Sequence, residues 1–384
     1  MSLRMLSAAV AALLGLSALS APAVAQSNEI TIGITIPTTG PAAALGIPER
    51  NTLDFAPTEI GGVKIKTIVL DDAGDPTTAT TNARRFVTAD KVDIIFGSCN
   101  TPAALAVSAV ANEAGVPHFA HAPIPFNASR EKWTVDMPQP IPIMGRALYD
   151  HMKKNNVKTL GFIGFSDSYG DIWLNDAKAQ AVPAGIQITA EERFARPDTS
   201  VTGQALKLVS AKPDAILVAA SGTGAALPQT TLRERGYTGL IYQTHGAVSF
   251  DFIRIGGKAA EGVLMASGPV MAPESQDDSA LTKKPGLAFV TEYEKRNGPN
   301  SRNQFGAHMF DSFEILKRVV PVALKTAKPG TPEFREAIRQ ALLTEKDMAA
   351  SQGVYNFTEK DRYGTDERAR ILLTVKDGKF AVVK

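Results

Sequence analysis

The sequence predicts an α/β protein made of two doubly wound lobes that follow one another along the chain. Short apolar segments rich in β-branched residues alternate with segments of helical periodicity from residue 30 to residue 120, and a second such series runs from residue 146 to residue 266. This alternation is typical of parallel sheets covered by helices. With 384 residues, 44% of them hydrophobic and 21% charged, the chain can form two such domains of a soluble protein.

In the first lobe, strands are predicted at short apolar runs and helices where apolar residues recur every three or four positions. The predicted strands are residues 30–36, 63–70, 92–96 and 116–120, and the first two helices are residues 48–55 and 77–89. A third helix starts at Thr101 and Pro102, because threonine can cap free N–H groups and proline lacks a donor that would be unpaired there. Gly115 is predicted to end it.

The second lobe repeats this pattern. Its predicted strands are residues 159–165, 186–192, 215–219, 240–243 and 262–266, and its predicted helices are residues 146–155, 171–181, 201–209, 225–235 and 249–255. Three further helices, at residues 287–296, 304–324 and 331–343, are expected to return to one lobe. Residues 354–357 and 370–375 are expected to form the edge of the other lobe.

The predicted domain bounds follow from these assignments. Lobe 1 would contain residues 26–141 and 271–352, and lobe 2 would contain residues 142–270 and 353–384. The chain would then cross between the lobes near Pro140, Pro269 and Gly353. Three crossings form a hinge suited to closing two lobes around a ligand, and we expect a monomer that does so.

The N-terminal residues are predicted to be an export signal. Arg4 precedes an apolar segment at residues 6–19, and Ala23 and Ala25 are the small residues of a cleavage site. We therefore expect cleavage after Ala25, a mature chain beginning at Gln26 and a periplasmic location. No cysteine lies directly after the cleavage site, which argues against a lipid anchor, and no other stretch has the roughly 18 apolar residues that a membrane span needs.

Composition and motifs exclude several classes of function. The net charge of +2 indicates neither a nucleic-acid face nor a basic membrane patch. Residues 164–168 lack the second glycine of a nucleophile elbow, and residues 221–224 lack the phosphate-loop lysine. His118 and His121 lack a carboxylate that would complete a metal site. No catalytic residue, cofactor or metal is therefore predicted, and Cys99, the single cysteine, is interpreted as a small buried hydrophobe.

Candidate binding loops lie at the carboxyl ends of the strands, where open α/β sheets bind ligands. These loops are residues 38–46, 97–101, 122–127, 166–170, 221–224 and 244–248. In the second of them, Ser98, Asn100 and Thr101 lie beside a helix N-terminus whose Ala103 and Ala104 N–H groups could hold a carboxylate. The alternative is that these polar residues only cap the helix.

Four motifs identify a family resemblance: DDAGDP at residues 71–76, GSCNTPAALAV at residues 97–107, SYGD at residues 168–171 and QTHG at residues 243–246. Their order and spacing resemble the type I periplasmic solute-binding proteins of ABC importers, in the branched-chain amino-acid-binding class. The resemblance covers the chain from about residue 30 onward. It implies a protein that is not an enzyme and that delivers a small molecule to a permease in the inner membrane. A ligand sensor of the same fold is the alternative.

The resemblance also implies the ligand contacts. They are the serine-rich loop of Ser98, Cys99, Asn100 and Thr101 for a carboxylate, Ala122 and Pro123 in the next loop, Tyr169 as the closing aromatic, and Ser221 and His245. Ser221 lies where the family often has an aromatic residue, and His245 lies where it has the acid that pairs with an α-ammonium. Since a buried ammonium needs an ionised partner, His245 favours an aromatic or apolar monocarboxylate, such as a benzoate-like or aryl keto acid. A branched-chain or other aliphatic amino acid or amide, with His245 held by its own loop, is the alternative.

Overall fold

The first lobe is built on a six-stranded sheet in the computed structural model, which describes residues 29–125, 127 and 132–383. Its strands are β1 (Glu29–Ile36), β2 (Glu59–Ile60), β3 (Val63–Asp71), β4 (Ile94–Gly97), β5 (His118–Ala120) and β6 (Thr134–Asp136), in the order β2-β3-β1-β4-β5-β6. Its helices are α1 (Ala43–Thr52), α2 (Pro76–Thr88) and α3 (Thr101–Ala114). Only β2 runs antiparallel to its neighbour.

The second lobe is built on a seven-stranded sheet. Its first elements are α4 (Ile141–Lys154), β7 (Thr159–Phe165), α5 (Ser168–Gln180), β8 (Gln187–Phe194), α6 (Thr202–Ala211), β9 (Ala215–Ala219), α7 (Ala226–Glu234), β10 (Leu240–Gln243), α8 (Phe250–Gly256) and β11 (Leu264–Ser267). Five parallel strands in the order β11-β10-β9-β7-β8 form its centre. The predicted α/β fold with two lobes is therefore confirmed.

Three helices follow the second lobe: α9 (Lys283–Asn297), α10 (Gln304–Ala323) and α11 (Pro332–Thr344). Helices α10 and α11 cover one face of the first sheet, where Phe313 and Phe334 pack in the same apolar cluster as Ile32 and Ile34. Helices α2 and α3 cover the opposite face through residues such as Phe86. Both faces of β1 are thus covered, with its alternating isoleucines on the side of α10 and α11 and Gly33 against the Phe86 ring on the other side.

The remaining strands are β12 (Met348–Ala349), β13 (Val354–Tyr355), β14 (Ile371–Lys376) and β15 (Lys379–Val382). Strand β14 pairs with β11, so residues 370–375 do lie toward the edge of the second sheet, and β15 lies outside them. The expectation for residues 354–357 is wrong, because β13 pairs with β12 and Tyr355 packs in the core of the first lobe. The Tyr363 hydroxyl donates to the Ile124 carbonyl of the first lobe, whereas Glu367 accepts from Arg146 on α4. The last crossing therefore follows Tyr363.

The segments between the lobes meet at Gln139, Gly268 and Gln352. The Gln139 amide donates to the Gln352 side chain, with a distance of 3.1 Å between the Gln139 nitrogen and the Gln352 oxygen. A side chain at Gly268 would collide with both glutamines. The predicted crossings near residues 140, 269 and 353 thus come together in space, although the chain returns to the first lobe after Gln352.

Prolines account for the largest errors in the predicted helix bounds. Helix α1 begins at Ala43 and contains Pro48, which the sequence pattern had favoured as its first residue. Helix α4 begins five residues before the predicted start, with Pro142 in its first turn. The predicted signal peptide at residues 1–25 lies outside the described residues. Within the described ranges, none of the helices has the length and apolar character that crossing a bilayer requires.

Candidate functional site

A narrow cavity lies between the lobes, at the carboxyl ends of their strands, and about 20 Å³ of it is wide enough for a water-sized molecule. The first lobe and the segment that leads out of it contribute Cys99, Asn100, Thr101, His121, Ala122, Pro123, Pro138, Phe305 and His308, and the second lobe contributes Tyr169, Arg196, Ser221, His245 and Gly246. This volume is well below the range for ligand pockets, so a ligand larger than water would have to move the walls apart. The cavity therefore identifies side chains of both lobes that face a common space.

The structure brings together all the predicted site residues except Ser98. Ser98 is fully buried beside Asp72 and does not line the cavity. Cys99 does line it, but burial and the nearby Glu49 carboxyl raise the pKa of its thiol well above the usual range. A thiol that stays protonated is a poor nucleophile, so Cys99 has the chemistry of a small apolar residue.

The N-terminus of α3 is capped by Asn100, the residue that precedes the helix. Asn100 Oδ1 accepts from the Ala103 N–H at 3.1 Å, and the Asn100 carbonyl accepts from the Ala104 N–H at 2.9 Å. The prediction that these two N–H groups hold an anion is therefore wrong, and Asn100, not Thr101, is the cap. Thr101 Oγ1 donates to the Pro123 carbonyl. The Asn100 side-chain nitrogen is buried without a partner among the described residues and can donate to a ligand.

Arg196 provides a fixed cation that was absent from the predicted site. Its Nε donates to Asp167 Oδ2 at 2.7 Å, and its Nη1 donates to Ser221 Oγ at 3.0 Å. The guanidinium carbon lies 4.2 Å from the centre of the Phe165 ring. Nη2 is buried and has no hydrogen-bond partner among the described residues. Arg196 is thus oriented by three groups and retains one donor nitrogen for a ligand.

Asp167 completes the support of this cation. It caps α5, since its Oδ1 accepts from the Tyr169 N–H at 2.9 Å and from the Gly170 N–H at 3.3 Å. The carboxylate is therefore already shared between the helix N-terminus and Arg196 Nε. This arrangement reduces the conformational freedom that Arg196 would lose on binding a ligand.

His245 lies on the cavity wall beside two aromatic rings. Its ring centre is 5.7 Å from that of Trp173 and 6.4 Å from that of Tyr169. Burial lowers the pKa of His245 to about 4, so the imidazole is neutral at pH 7. Its Nδ1 is buried without a partner in the described structure. The alternative in which its own loop holds this nitrogen is not supported.

Tyr169 presents its ring, not its hydroxyl proton, to the cavity. Thr244 Oγ1 donates to the Ala220 carbonyl at 3.0 Å and must therefore accept from the Tyr169 hydroxyl, which is 2.8 Å away. Burial raises the pKa of Tyr169 to about 12, so the phenol stays protonated. The ring is available to pack against an apolar or aromatic ligand.

His121 belongs to a buried hydrogen-bonded chain. Its Nδ1 is 2.7 Å from Glu49 Oε2, and its Nε2 is 2.9 Å from Ser312 Oγ. Ser312 Oγ donates to the His308 carbonyl, so it must accept from the Nε2–H of His121. One proton then remains for the bond between Nδ1 and Glu49. Whichever of the two residues carries that proton, the pair has no net charge.

His308 is the second functional candidate that the sequence did not predict. It lies on α10, is 1% exposed, and both of its ring nitrogens lack partners among the described residues. Burial, assisted by His121 and His245, lowers its pKa well below the usual range. His118, by contrast, is buried in the sheet, where its ring contacts Thr134 and the Gly97 carbonyl. It therefore lies in the core and not at the cavity.

The two omissions have different origins. Arg196 lies two residues after the end of the edge strand β8, so the rule that ligands bind at carboxyl ends would have found it had that loop been included. His308 lies on α10, which packs on the first lobe although it follows the second lobe in the chain. No local sequence pattern predicts that His308 reaches the cavity. Among the described residues, no group of three or more His, Cys, Asp or Glu side chains is positioned to hold a metal ion.

Comparisons with known proteins agree with this architecture. The family model for periplasmic binding proteins matches residues 29–378. The Leu/Ile/Val-binding protein homolog 7 of Brucella abortus is 26% identical over 397 residues, which cover 96% of this chain and 95% of that protein. The crystal structure of an extracellular ligand-binding receptor from Rhodopseudomonas palustris HaA2 is 73% identical, with a TM-score of 0.92, and the match covers 93% of this chain and all of that one.

A more distant structure shares the fold. It is a solute-binding protein of an ABC transporter from Rhodopseudomonas palustris, solved in complex with benzoate. The two proteins are 18% identical, with a TM-score of 0.77, and the match covers 92% of this chain and 95% of that one.

Proposed function

The chain belongs to the periplasmic binding protein family, and on that premise we propose that it captures a small aromatic or apolar monocarboxylate and delivers it to an ABC permease. In this proposal it acts in the periplasm as a monomer beginning at Gln26. The observation that carries the proposal is the buried, unpaired Nη2 of Arg196 on the wall of the cavity between the lobes. A fixed guanidinium is suited to a carboxylate, because it offers charge and directed donors together.

The polar groups of the cavity are poorly suited to the ammonium of an amino acid. Among the described residues that line it there is no aspartate or glutamate. Glu49 and Asp167 lie behind the wall and are already engaged by His121 and Arg196. A buried ammonium without an ionised partner is strongly destabilised. The Arg196 cation would add repulsion, so a carboxylate without an amino group is favoured.

The remaining wall suits an apolar body. Ala122, Pro123, Pro138 and Phe305 join the Tyr169 ring around the cavity. Once the lobes move apart enough to admit a flat group, the aromatic rings can pack against its face or edge. The benzoate complex of the distant Rhodopseudomonas palustris protein supports the proposal to this extent, that the same fold can enclose an aromatic carboxylate.

Thermal unfolding with a panel of ligands tests this function. Benzoate, phenylpyruvate and phenylacetate would be compared with leucine, isoleucine and valine, after bound molecules are removed by unfolding and refolding. A ligand at about 100 times its dissociation constant adds roughly 2.7 kcal/mol to the free energy of unfolding. We expect at least one aromatic acid to raise the unfolding temperature measurably.

The amino acids are expected to leave the unfolding temperature unchanged. If leucine, isoleucine or valine stabilises the protein while every aromatic acid leaves it unmoved, the proposed ligand class is wrong. Such a result would instead favour the function named for the Brucella homologue.

A further inference from the structure

We propose that His245 and His308 together bind a hydroxyl group of the ligand, so that the preferred ligand is a hydroxylated carboxylic acid. This inference rests on the proposed function, since it assumes that Arg196 holds the carboxylate. It assigns a role to ring nitrogens that have no partner among the described residues.

The two imidazoles come from opposite lobes and lie on one cavity. His245 follows β10 in the second lobe, and His308 is on α10, which packs on the first. The Gln304 side chain donates to the His245 carbonyl, and Gln304 precedes His308 by four residues. Residues four apart share one face of a helix, so the face that contacts the His245 loop also presents His308. The pair therefore joins the two lobes across the cavity.

Burial favours a hydrogen-bond partner for these nitrogens. His245 and His308 are 2% and 1% exposed, and the unpartnered atoms are Nδ1 of His245 and both nitrogens of His308. Buried polar groups in folded proteins nearly always have hydrogen-bond partners, either protein groups or ordered water. A ligand group that enters the cavity can provide this partner, because no described protein group does.

The charges around the pair determine which ligand group fits. His121 is balanced by Glu49, and Arg196 is the cation on the same wall. Both imidazoles are neutral, because burial lowers the pKa of His245 to about 4 and that of His308 further below its usual range. Each ring then offers one N–H donor and one nitrogen acceptor.

A hydroxyl group matches this combination. Its proton can be donated to the free nitrogen of one ring, and its oxygen can accept from the N–H of the other. A second carboxylate could accept from an N–H of each ring, but Arg196 would already be paired and the additional negative charge would be buried without a counter-charge. An ammonium only donates, and Arg196 repels it. A hydroxyl is thus a neutral group that can bond to both rings at once, which leaves one nitrogen of His308 for another partner.

The test compares hydroxylated and plain acids in matched variants. Dissociation constants would be measured by calorimetry for benzoate, the three monohydroxybenzoates and mandelate, with wild type, His245→Leu, His308→Leu and His308→Gln. We expect one hydroxylated acid to bind wild type roughly 10-fold more tightly than benzoate, the effect of one or two buried hydrogen bonds. Each leucine variant should reduce that ratio to about 3-fold or less.

His308→Gln should restore part of the preference, because its amide both donates and accepts, and it replaces His308→Leu if the leucine variant fails to fold. His151→Gln on the outer helix α4 is the control and should leave the ratio unchanged. The inference is overturned if no hydroxylated acid binds more tightly than benzoate, or if the preference survives both leucine substitutions. If none of these acids binds, the proposed function fails with it, whereas equal binding of all of them overturns this inference alone.

Discussion

Replacing Arg196 by glutamine is expected to weaken the binding of benzoate by roughly 30-fold or more. Removing one partner of a buried, hydrogen-bonded charge pair costs about 2–5 kcal/mol, and 2 kcal/mol corresponds to about 30-fold in the dissociation constant. The guanidinium is held by Asp167, Ser221 and Phe165, so the loss includes a donor that was already oriented. Isothermal titration of refolded protein measures the change.

Two comparisons separate this effect from a general disturbance. Arg193 on β8 pairs with Asp171 and does not line the cavity, so Arg193→Gln should bind benzoate as wild type does. Benzamide lacks the negative charge, and wild type should prefer benzoate to it, whereas Arg196→Gln should discriminate little. If Arg196→Gln binds benzoate within about threefold of wild type, Arg196 does not hold the carboxylate.

Replacing Glu49 by leucine is expected to lower the free energy of unfolding of the ligand-free protein by about 3–5 kcal/mol. Glu49 and His121 are both fully buried as side chains and lie 2.7 Å apart. Burial raises the pKa of Glu49, and the contact with His121 opposes that rise. Without Glu49, Nδ1 of His121 would be left buried and unpaired. Urea unfolding at pH 7 measures the loss.

A neighbouring ion pair at the C-terminal end of the same helix provides the control. Arg50 and Asp54 are 51% and 63% exposed, so Asp54→Asn should cost at most about 1 kcal/mol. The double variant Glu49→Leu with His121→Phe removes both polar groups and should recover part of the loss. If the two single losses simply add in the double variant, the pair is not energetically coupled, contrary to its geometry.

Local sequence patterns determined most of the architecture, because the face of a strand that meets a packed core must be apolar. The alternating isoleucines of β1, from Ile30 to Ile36, are all fully buried for that reason. Prolines predicted the starts of helices less reliably, since Pro48 lies inside α1 and not at its first position. The short run at residues 354–357 was placed in the wrong lobe, because nothing local selects its partner strand.

The site was predictable only where it depends on strand ends. Residues such as Asn100, Tyr169 and His245 follow strands, and the cavity contains them. The hydrogen bonds that Asn100 makes as the cap of α3 were not predictable in detail. They engage the N–H groups that were expected to bind an anion. The position of His308 depends on how α10 packs, and this helix lies more than 180 residues after Asn100 in the chain. The charge of the site therefore became clear only once Arg196 and the histidines were placed together.

The mass of the small molecule that co-purifies with the protein tests the central claim most directly. The protein would be purified natively from its own periplasm and denatured, and the released compound would be identified by mass spectrometry. The account predicts a single carboxylic acid with an aromatic or apolar body and no amino group, present at close to one molecule per chain. Stoichiometric recovery of leucine, isoleucine, valine or another α-amino acid would contradict it.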